Sequence, residues 1–178
     1  MQIGWFFSLF RSLLFNRFVI ITPPIFNKVQ VVFDKILKDF MIFYIRDKYD
    51  LSTVNEIFKS PAYDISHLVR WEDILANYNK IVDSKKTPLI LDCGANIGCS
   101  TEYFARTFYK SLVVGIEPEE SNHNLLLNNV SSKNIEIQNI AVGSSETFVD
   151  IINNPTYPND PRAFQTVLAG EGETQIKS

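Results

Sequence analysis

The chain has 178 residues, a length typical of one domain, and 46% of them are hydrophobic, which is enough for a packed core. Its 17 basic and 20 acidic residues are interspersed and give a formal net charge of −3, so no nucleic-acid-binding surface is indicated. Two cysteines, Cys93 and Cys99, and two histidines are too few for a four-ligand zinc site. We expect no metal, and two free, buried thiols in a reducing cytosol.

Residues 3–21 are rich in aromatic and aliphatic side chains and predict an amphipathic helix. A membrane-spanning helix needs about 20 mostly apolar residues, and Arg11, Asn16 and Arg17 argue against a span. The apolar face has three candidate partners: a bilayer interface, the core of its own domain, or another subunit. We therefore expect a cytoplasmic protein, with peripheral membrane association or a subunit contact through residues 3–21 left open. The small and polar residues share one narrow stripe of this helix, formed by Gly4, Ser8, Arg11, Ser12 and Asn16.

Residues 25–49 repeat apolar side chains at spacings of three and one, which predicts a second amphipathic helix. Two shorter helices are predicted within residues 52–83. The interpretation is a helical N-terminal extension over residues 1–86, followed by an α/β domain over residues 87–178.

From residue 89 onward, short apolar runs alternate with helical patterns in the order βαβαβ. This order predicts a parallel, doubly wound sheet of the Rossmann-like type. We expect the strand at residues 89–91 to lie at one edge of that sheet. Residues 155–178 contain three X-Pro steps and are predicted to be loop, with a further strand beginning at residues 175–177.

The first strand of this unit ends in a turn that contains two glycines, Gly94 and Gly98, and opens a helix. The glycines leave room for a ligand near the backbone, and Asn96 tolerates a positive φ. Ligands of open α/β sheets bind at such turns. Glu117 ends the next strand, where a carboxylate can accept hydrogen bonds from ribose hydroxyl groups. The pattern predicts an adenosine-type ligand.

Two features of the turn distinguish between adenosine-type ligands. Asn96 and Cys99 stand where a dinucleotide fingerprint has glycine, and Asp92 would repel a pyrophosphate. S-adenosylmethionine carries a positive sulfonium and an amino group, which a carboxylate attracts, so the residues favour this cofactor over NAD. Ser100 and Thr101 have two readings, either as ordinary first-turn helix residues or as ligands for the carboxylate of the cofactor.

Three segments resemble the motifs of FkbM-type methyltransferases: Leu91-Asp92-Cys93-Gly94-Ala95-Asn96-Ile97-Gly98, Ile116-Glu117-Pro118-Glu119 and Asn139-Ile140-Ala141-Val142-Gly143. The resemblance implies the N-terminal half of a class I methyltransferase domain that binds S-adenosylmethionine. It also implies methyl transfer to a hydroxyl group of a sugar or similar acceptor, either a small molecule or a glycan. The expected cofactor-binding residues are Asp92, Gly94, Ala95, Asn96, Gly98, Ser100, Thr101, Glu117, Pro118, Asn139 and Ala141.

The fourth-strand motif of that family has no counterpart in the sequence, and no residue stands out as the base that would deprotonate an acceptor. We therefore expect a C-terminally incomplete sheet and no methyl transfer by these 178 residues alone. Two alternative functions remain. One is a truncated, inactive remnant that keeps part of the cofactor site. The other, disfavoured by Asn96 and Cys99, is a nucleotide-dependent oxidoreductase. His67 and His123 are interpreted as surface or packing residues.

Overall fold

The computed structural model describes residues 2–23, 28–60, 63–144, 147–157, 160, 162–168 and 175–177. Within these ranges the chain is a mixed α/β protein with one parallel and two antiparallel sheets. The helices are α1 Gln2–Phe15, α2 Lys48–Phe58, α3 Trp71–Asp83, α4 Cys99–Thr107 and α5 Glu120–Asn129. The strands are β1 Phe18–Ile20, β2 Val29–Asp34, β3 Asp39–Tyr44, β4 Leu89–Cys93, β5 Leu112–Ile116, β6 Ile135–Gln138, β7 Phe148–Ile152, β8 Gln165–Leu168 and β9 Gln175–Lys177.

The helix predicted over residues 25–49 is wrong, because β2 and β3 occupy this segment and pair with β1 in an antiparallel sheet. Burial alternates strictly along β2, which is the period of two expected of a strand. A short apolar run fits both the period of a helix and the period of a strand. The β-branched valines of this run favour the strand. Lys38 adopts a φ of 55° in the turn before β3, a conformation that no helix continues through. The N-terminal extension is therefore helical only in part.

The parallel sheet is confirmed, with the strand order β4-β5-β6. β4 lies at one edge as expected, since within the described residues it pairs only with β5. Helix α4 packs closely on β5: a Cβ atom at Gly115 would lie 3.1 Å from the Thr101 side chain. The opposite face of the edge strand is open, with Leu89 60% and Leu91 56% exposed.

The C-terminal residues form a second antiparallel sheet of order β8-β7-β9. β9 confirms the strand predicted at residues 175–177, but β8 lies in a segment predicted to be loop, and β7 was not predicted. Each of these strands is only three to five residues long and pairs with a distant segment. Local periodicity gives little signal for such strands.

The main hydrophobic core joins the N-terminal sheet to the parallel unit. The Phe18 ring lies 5.2 Å from that of Phe58 in α2 and 5.3 Å from that of Tyr103 in α4, between ring centroids. Val32 and Ile97 belong to the same buried cluster. Residues from the first 86 positions thus hold α4 in place. The domain boundary at residue 86 stays a prediction.

The two thiols differ in environment, so the expectation that both are buried is wrong for Cys93, which is exposed at the end of the edge strand. Cys99 is buried, and burial raises the pKa of its thiol well above the ordinary value. In the part of the chain that the structure describes, no helix is long and apolar enough to cross a membrane.

Candidate functional site

The turn between β4 and α4 has three residues with left-handed backbone: φ is 83° at Gly94, 50° at Asn96 and 90° at Gly98. The positive φ expected of Asn96 is confirmed. The backbone N–H groups of Gly94 and Ala95 both donate to the carbonyl oxygen of Ile116, at 2.9 and 3.0 Å. The turn is therefore held against the end of β5.

The two glycines of this turn have different surroundings. A Cβ atom at Gly94 would meet nothing within 4 Å, so the backbone there is open to a ligand as expected. At Gly98 a Cβ atom would lie 2.7 Å from Leu126 Cδ1 and 2.9 Å from Val130 Cγ1. The absent side chain of Gly98 thus permits close packing of the turn against α5, and a contact of Gly98 with a cofactor stays a prediction.

Glu117 links the end of β5 to the turn. Its Oε2 atom accepts a 2.8 Å hydrogen bond from the backbone N–H of Asn96. Its Oε1 atom accepts a 3.1 Å hydrogen bond from the backbone N–H of Glu119. The residue is only 5% exposed, and this burial raises the pKa of its carboxyl group. The structure thus places the predicted ribose acceptor beside the glycine turn.

Asp92 anchors the first turn of α4. The hydroxyl groups of Ser100 and Thr101 both donate to its Oδ2 atom, at 2.8 and 2.6 Å. Its other oxygen, Oδ1, has no hydrogen-bond partner among the described residues. The two hydroxyl groups therefore orient the Asp92 carboxylate, and their direct contact with a cofactor stays a prediction.

The third motif meets the second at the carboxyl ends of the strands. The side-chain amide of Asn139 donates to the carbonyl oxygens of Glu117 and Pro118, at 2.8 and 3.1 Å. Ala141, two residues further along the chain, is 4% exposed. The hydrogen bonds at Ile116, Glu117 and Asn139 thus bring all three sequence motifs to one edge of the sheet.

Two N-terminal features support this site and were missed by sequence reasoning. The Nδ2 atom of Asn122 donates to Glu117 Oε1 at 3.3 Å, and Asn122 Oδ1 accepts a 2.6 Å hydrogen bond from Arg46. Burial, and after it the negative charge of Asp92, raises the pKa of the Tyr63 phenol. Arg46 and Tyr63 precede the motifs by tens of residues, and neither stands in a pattern that could have indicated such a role.

One acceptor in the turn lacks a partner. The side-chain oxygen Oδ1 of Asn96 is buried and makes no hydrogen bond within the described residues. An unsatisfied buried acceptor costs about 1–3 kcal/mol, which a ligand donor would offset. No group of three or more metal-ligating side chains occurs in the ranges that the structure describes.

Residues 92–175, somewhat less than half of the chain, match the family model of the methyltransferase FkbM domain. No curated protein matches the chain. Among solved structures, the plantazolicin methyltransferase BpumL in complex with a monoazolic desmethylPZN analog and SAH aligns with a TM-score of 0.30 and 19% identity, over 55% of this chain and 45% of that one. The family match covers the glycine turn, Glu117 and Asn139. The resemblance found in the sequence is thereby confirmed by the match of the FkbM methyltransferase domain model to residues 92–175.

Proposed function

We propose that the protein is an S-adenosylmethionine-dependent methyltransferase that acts on a hydroxyl group of a sugar or similar acceptor. The family match supports methyl transfer, and the kind of acceptor rests on family resemblance. One observation supports the choice of cofactor. Hydrogen-bond acceptors on Asp92, Asn96 and Glu117 lie around the open backbone of Gly94.

These groups fit S-adenosylmethionine by their chemistry. The ligand offers N–H donors from its amino group and O–H donors from its ribose, and it carries a positive sulfonium. The site offers the unsatisfied Asn96 Oδ1 atom, the Oδ1 atom of Asp92 and the buried Glu117 carboxylate. A pyrophosphate would instead lie close to two carboxylates, which repel it. The site therefore favours an adenosyl ligand without phosphate.

In this proposal the bound cofactor supplies an electrophilic methyl group, and the residues of the chain bind and align it. Asp92 is oriented by Ser100 and Thr101, and Glu117 is oriented by Asn96 and Asn122. We also propose that β4, α4, β5, α5 and β6 form the first half of a Rossmann-like sheet of the class I type. The acceptor hydroxyl needs a base, for which we assign no residue.

Calorimetric titration with S-adenosylhomocysteine, the demethylated cofactor, and with NAD tests the cofactor. We expect binding of the former and none of the latter. Asp92→Ala and Glu117→Ala should each weaken binding by about 1–3 kcal/mol, because each removes a charged hydrogen-bond acceptor. Asp73→Ala is the control, since this exposed carboxylate on α3 pairs with Arg70. Binding of NAD as tightly as the adenosyl ligand would contradict the proposal.

Transfer of a labelled methyl group from S-adenosylmethionine to a panel of sugars, amines and thiols tests the acceptor. The assay uses the 178 residues, from which we expect no transfer, beside a version extended with the C-terminal half of an FkbM-type domain, from which we expect transfer. Label recovered in sugar ethers supports the hydroxyl acceptor. Label recovered only in amines or thiols would refute that part of the proposal and leave the cofactor assignment intact.

A further inference from the structure

Helix α1 turns Ser8, Ser12 and Asn16, together with Trp5 and Leu9, toward the protein, and it turns most of its large apolar side chains toward solvent. Ser12 is 8% exposed, and Ser8 and Asn16 on the same side are partly buried. At 100° per residue, five outward side chains fall within an arc of about 120°. A helix packed on a core buries such an arc, whereas here the arc faces solvent. The α1 apolar face consists of Phe6, Phe7, Phe10, Leu13 and Leu14, which are 47% to 73% exposed.

A second apolar element lies beside this face. The Nζ atom of Lys35 donates to the carbonyl oxygen of Leu13 at 3.0 Å, which joins the β2–β3 turn to the C-terminal half of α1. The turn exposes Ile36 and Leu37, at 67% and 43%, and Lys38 follows them. Exposed apolar surface therefore occurs on two neighbouring elements, and patches of this kind mark interaction sites.

The charges around these two elements are positive, although the chain carries a formal net charge of −3. Arg11 borders the α1 apolar face and Lys38 lies in the turn, and neither forms an ion pair in the part of the chain that the structure describes. The negative charges of the two acids that flank the turn are neutralised by ion pairs with arginines. Asp34 is buried and pairs with Arg17 at 2.8 Å, and Asp39 pairs with Arg106 at 3.0 Å. Arg11 and Lys38 thus lie beside exposed apolar side chains without an acidic partner among the described residues.

We infer that this surface docks on an anionic lipid bilayer, with α1 lying in the interface and the β2–β3 turn beside it. Phenylalanine and leucine side chains enter the boundary between headgroups and acyl chains, while Arg11 and Lys38 contact anionic headgroups. A bilayer needs no shape-complementary pocket for side chains that project from a helix. A symmetric dimer through the same surface would enclose Arg11 and Lys38 of both copies. The acids that flank the turn already pair with other arginines and would not neutralise these two cations. The inference does not depend on the cofactor site.

Vesicle co-sedimentation of the full chain tests the inference. We expect binding to vesicles of phosphatidylcholine mixed with phosphatidylserine, weaker binding to phosphatidylcholine alone, and loss of the difference at high salt. Phe10→Ser and Leu14→Ser should each weaken binding by about tenfold, because each removes a buried apolar side chain. Val69→Ser is the matched control, since Val69 is a fully exposed apolar residue outside this surface. Arg11→Glu with Lys38→Glu should abolish the preference for phosphatidylserine.

A spectroscopic readout reports on α1 itself. Trp5 stacks edge-on against Phe6, with ring centroids 4.9 Å apart, and the chain has only one other tryptophan, Trp71. Trp5 itself lies on the side of α1 that faces the protein. In a Trp5→Phe, Trp71→Phe background, the emission of the tryptophan introduced by Phe10→Trp should therefore shift to shorter wavelength on phosphatidylserine vesicles and be quenched by brominated lipid. Thermal unfolding of each variant checks that it folds.

Two outcomes would overturn the inference. One is that folded wild-type protein fails to bind the anionic vesicles, or binds them as tightly after Phe10→Ser and Leu14→Ser. The other is sedimentation equilibrium that shows a dimer, dissociated by the same two substitutions, without vesicle binding. That result would assign the surface to a second copy of the chain.

Discussion

The carboxylate of Glu117 accepts a 2.8 Å hydrogen bond from the backbone N–H of Asn96, so the end of β5 holds the turn that follows β4. This hydrogen bond lowers the pKa of Glu117, but burial has the larger effect and leaves the pKa above its ordinary value of 4.5. A carboxyl group of this kind contributes stability that is fully present below its unfolded pKa. The contribution is lost as the pH rises through the higher folded pKa.

Replacing Glu117 with Gln removes this titration. We expect the free energy of unfolding of the wild type to fall, relative to that of Glu117→Gln, as the pH rises from below 4.5 toward neutrality. Denaturant unfolding at a series of pH values measures the difference. Glu120→Gln, at an exposed position on α5, should show no such trend. If the difference in the free energy of unfolding between the wild type and Glu117→Gln stays constant with pH, burial does not penalise the charged form of Glu117.

The two left-handed glycines of the turn should respond differently to alanine. Gly94→Ala and Gly98→Ala both place a Cβ atom at a positive φ, which costs about 1–2 kcal/mol. Gly98→Ala also forces contact with the buried Leu126, and overpacking adds about 1–3 kcal/mol. Equilibrium unfolding should therefore show a larger loss for Gly98→Ala. Equal losses would mean that α5 moves away from the turn without cost.

Glu102 in α4 is the most heavily hydrogen-bonded acid of the parallel unit. It is fully buried, pairs with Arg106 at 2.7 Å and accepts from the backbone and hydroxyl groups of Ser131 and Ser132. Glu102→Ala leaves the buried Arg106 with fewer partners, so we expect a loss of about 3–5 kcal/mol in the free energy of unfolding. Asp73→Ala breaks an exposed ion pair and should cost less than about 1 kcal/mol. Similar losses for the two variants would contradict this contrast.

Asn122 should act as a positioning residue for Glu117. Its Oδ1 atom accepts a 2.6 Å hydrogen bond from Arg46, and its Nδ2 atom donates a 3.3 Å hydrogen bond to Glu117 Oε1. If the proposed cofactor site is correct, Asn122→Ala weakens binding of S-adenosylhomocysteine by about 0.5–1.5 kcal/mol, the contribution of one hydrogen bond. Asn128→Ala is the calorimetric control, since the Asn128 amide donates to the carbonyl oxygen of Asn124 within α5. Unchanged affinity of Asn122→Ala, alongside weaker binding by Glu117→Ala, would refute only the positioning role.

Local sequence patterns were sufficient to predict the parallel unit and the turn. The alternation of short apolar runs with helical patterns predicts β4, α4, β5, α5 and β6 in order, and β4 lies at the edge as expected. Asn96 takes the left-handed conformation expected of it. Because the carboxyl ends of parallel strands lie at one edge of a sheet, motifs that follow those strands are brought together, as Glu117 and Asn139 are. Their contact with a cofactor stays a prediction.

Contacts between distant segments decided the rest. A short apolar run such as β2 satisfies the period of a helix and that of a strand, and pairing with β1 and β3 selects the strand. Asn122 supports Glu117 from five positions away, but Arg46, which holds Asn122, lies 76 positions from it, so no local pattern indicates this contact. In α1, the sequence by itself determines that the helix has a polar stripe and an apolar face. Only packing against the rest of the chain decides that Ser12 points inward and Phe10 outward, because amphipathicity defines the two sides of a helix and not the direction in which each one faces.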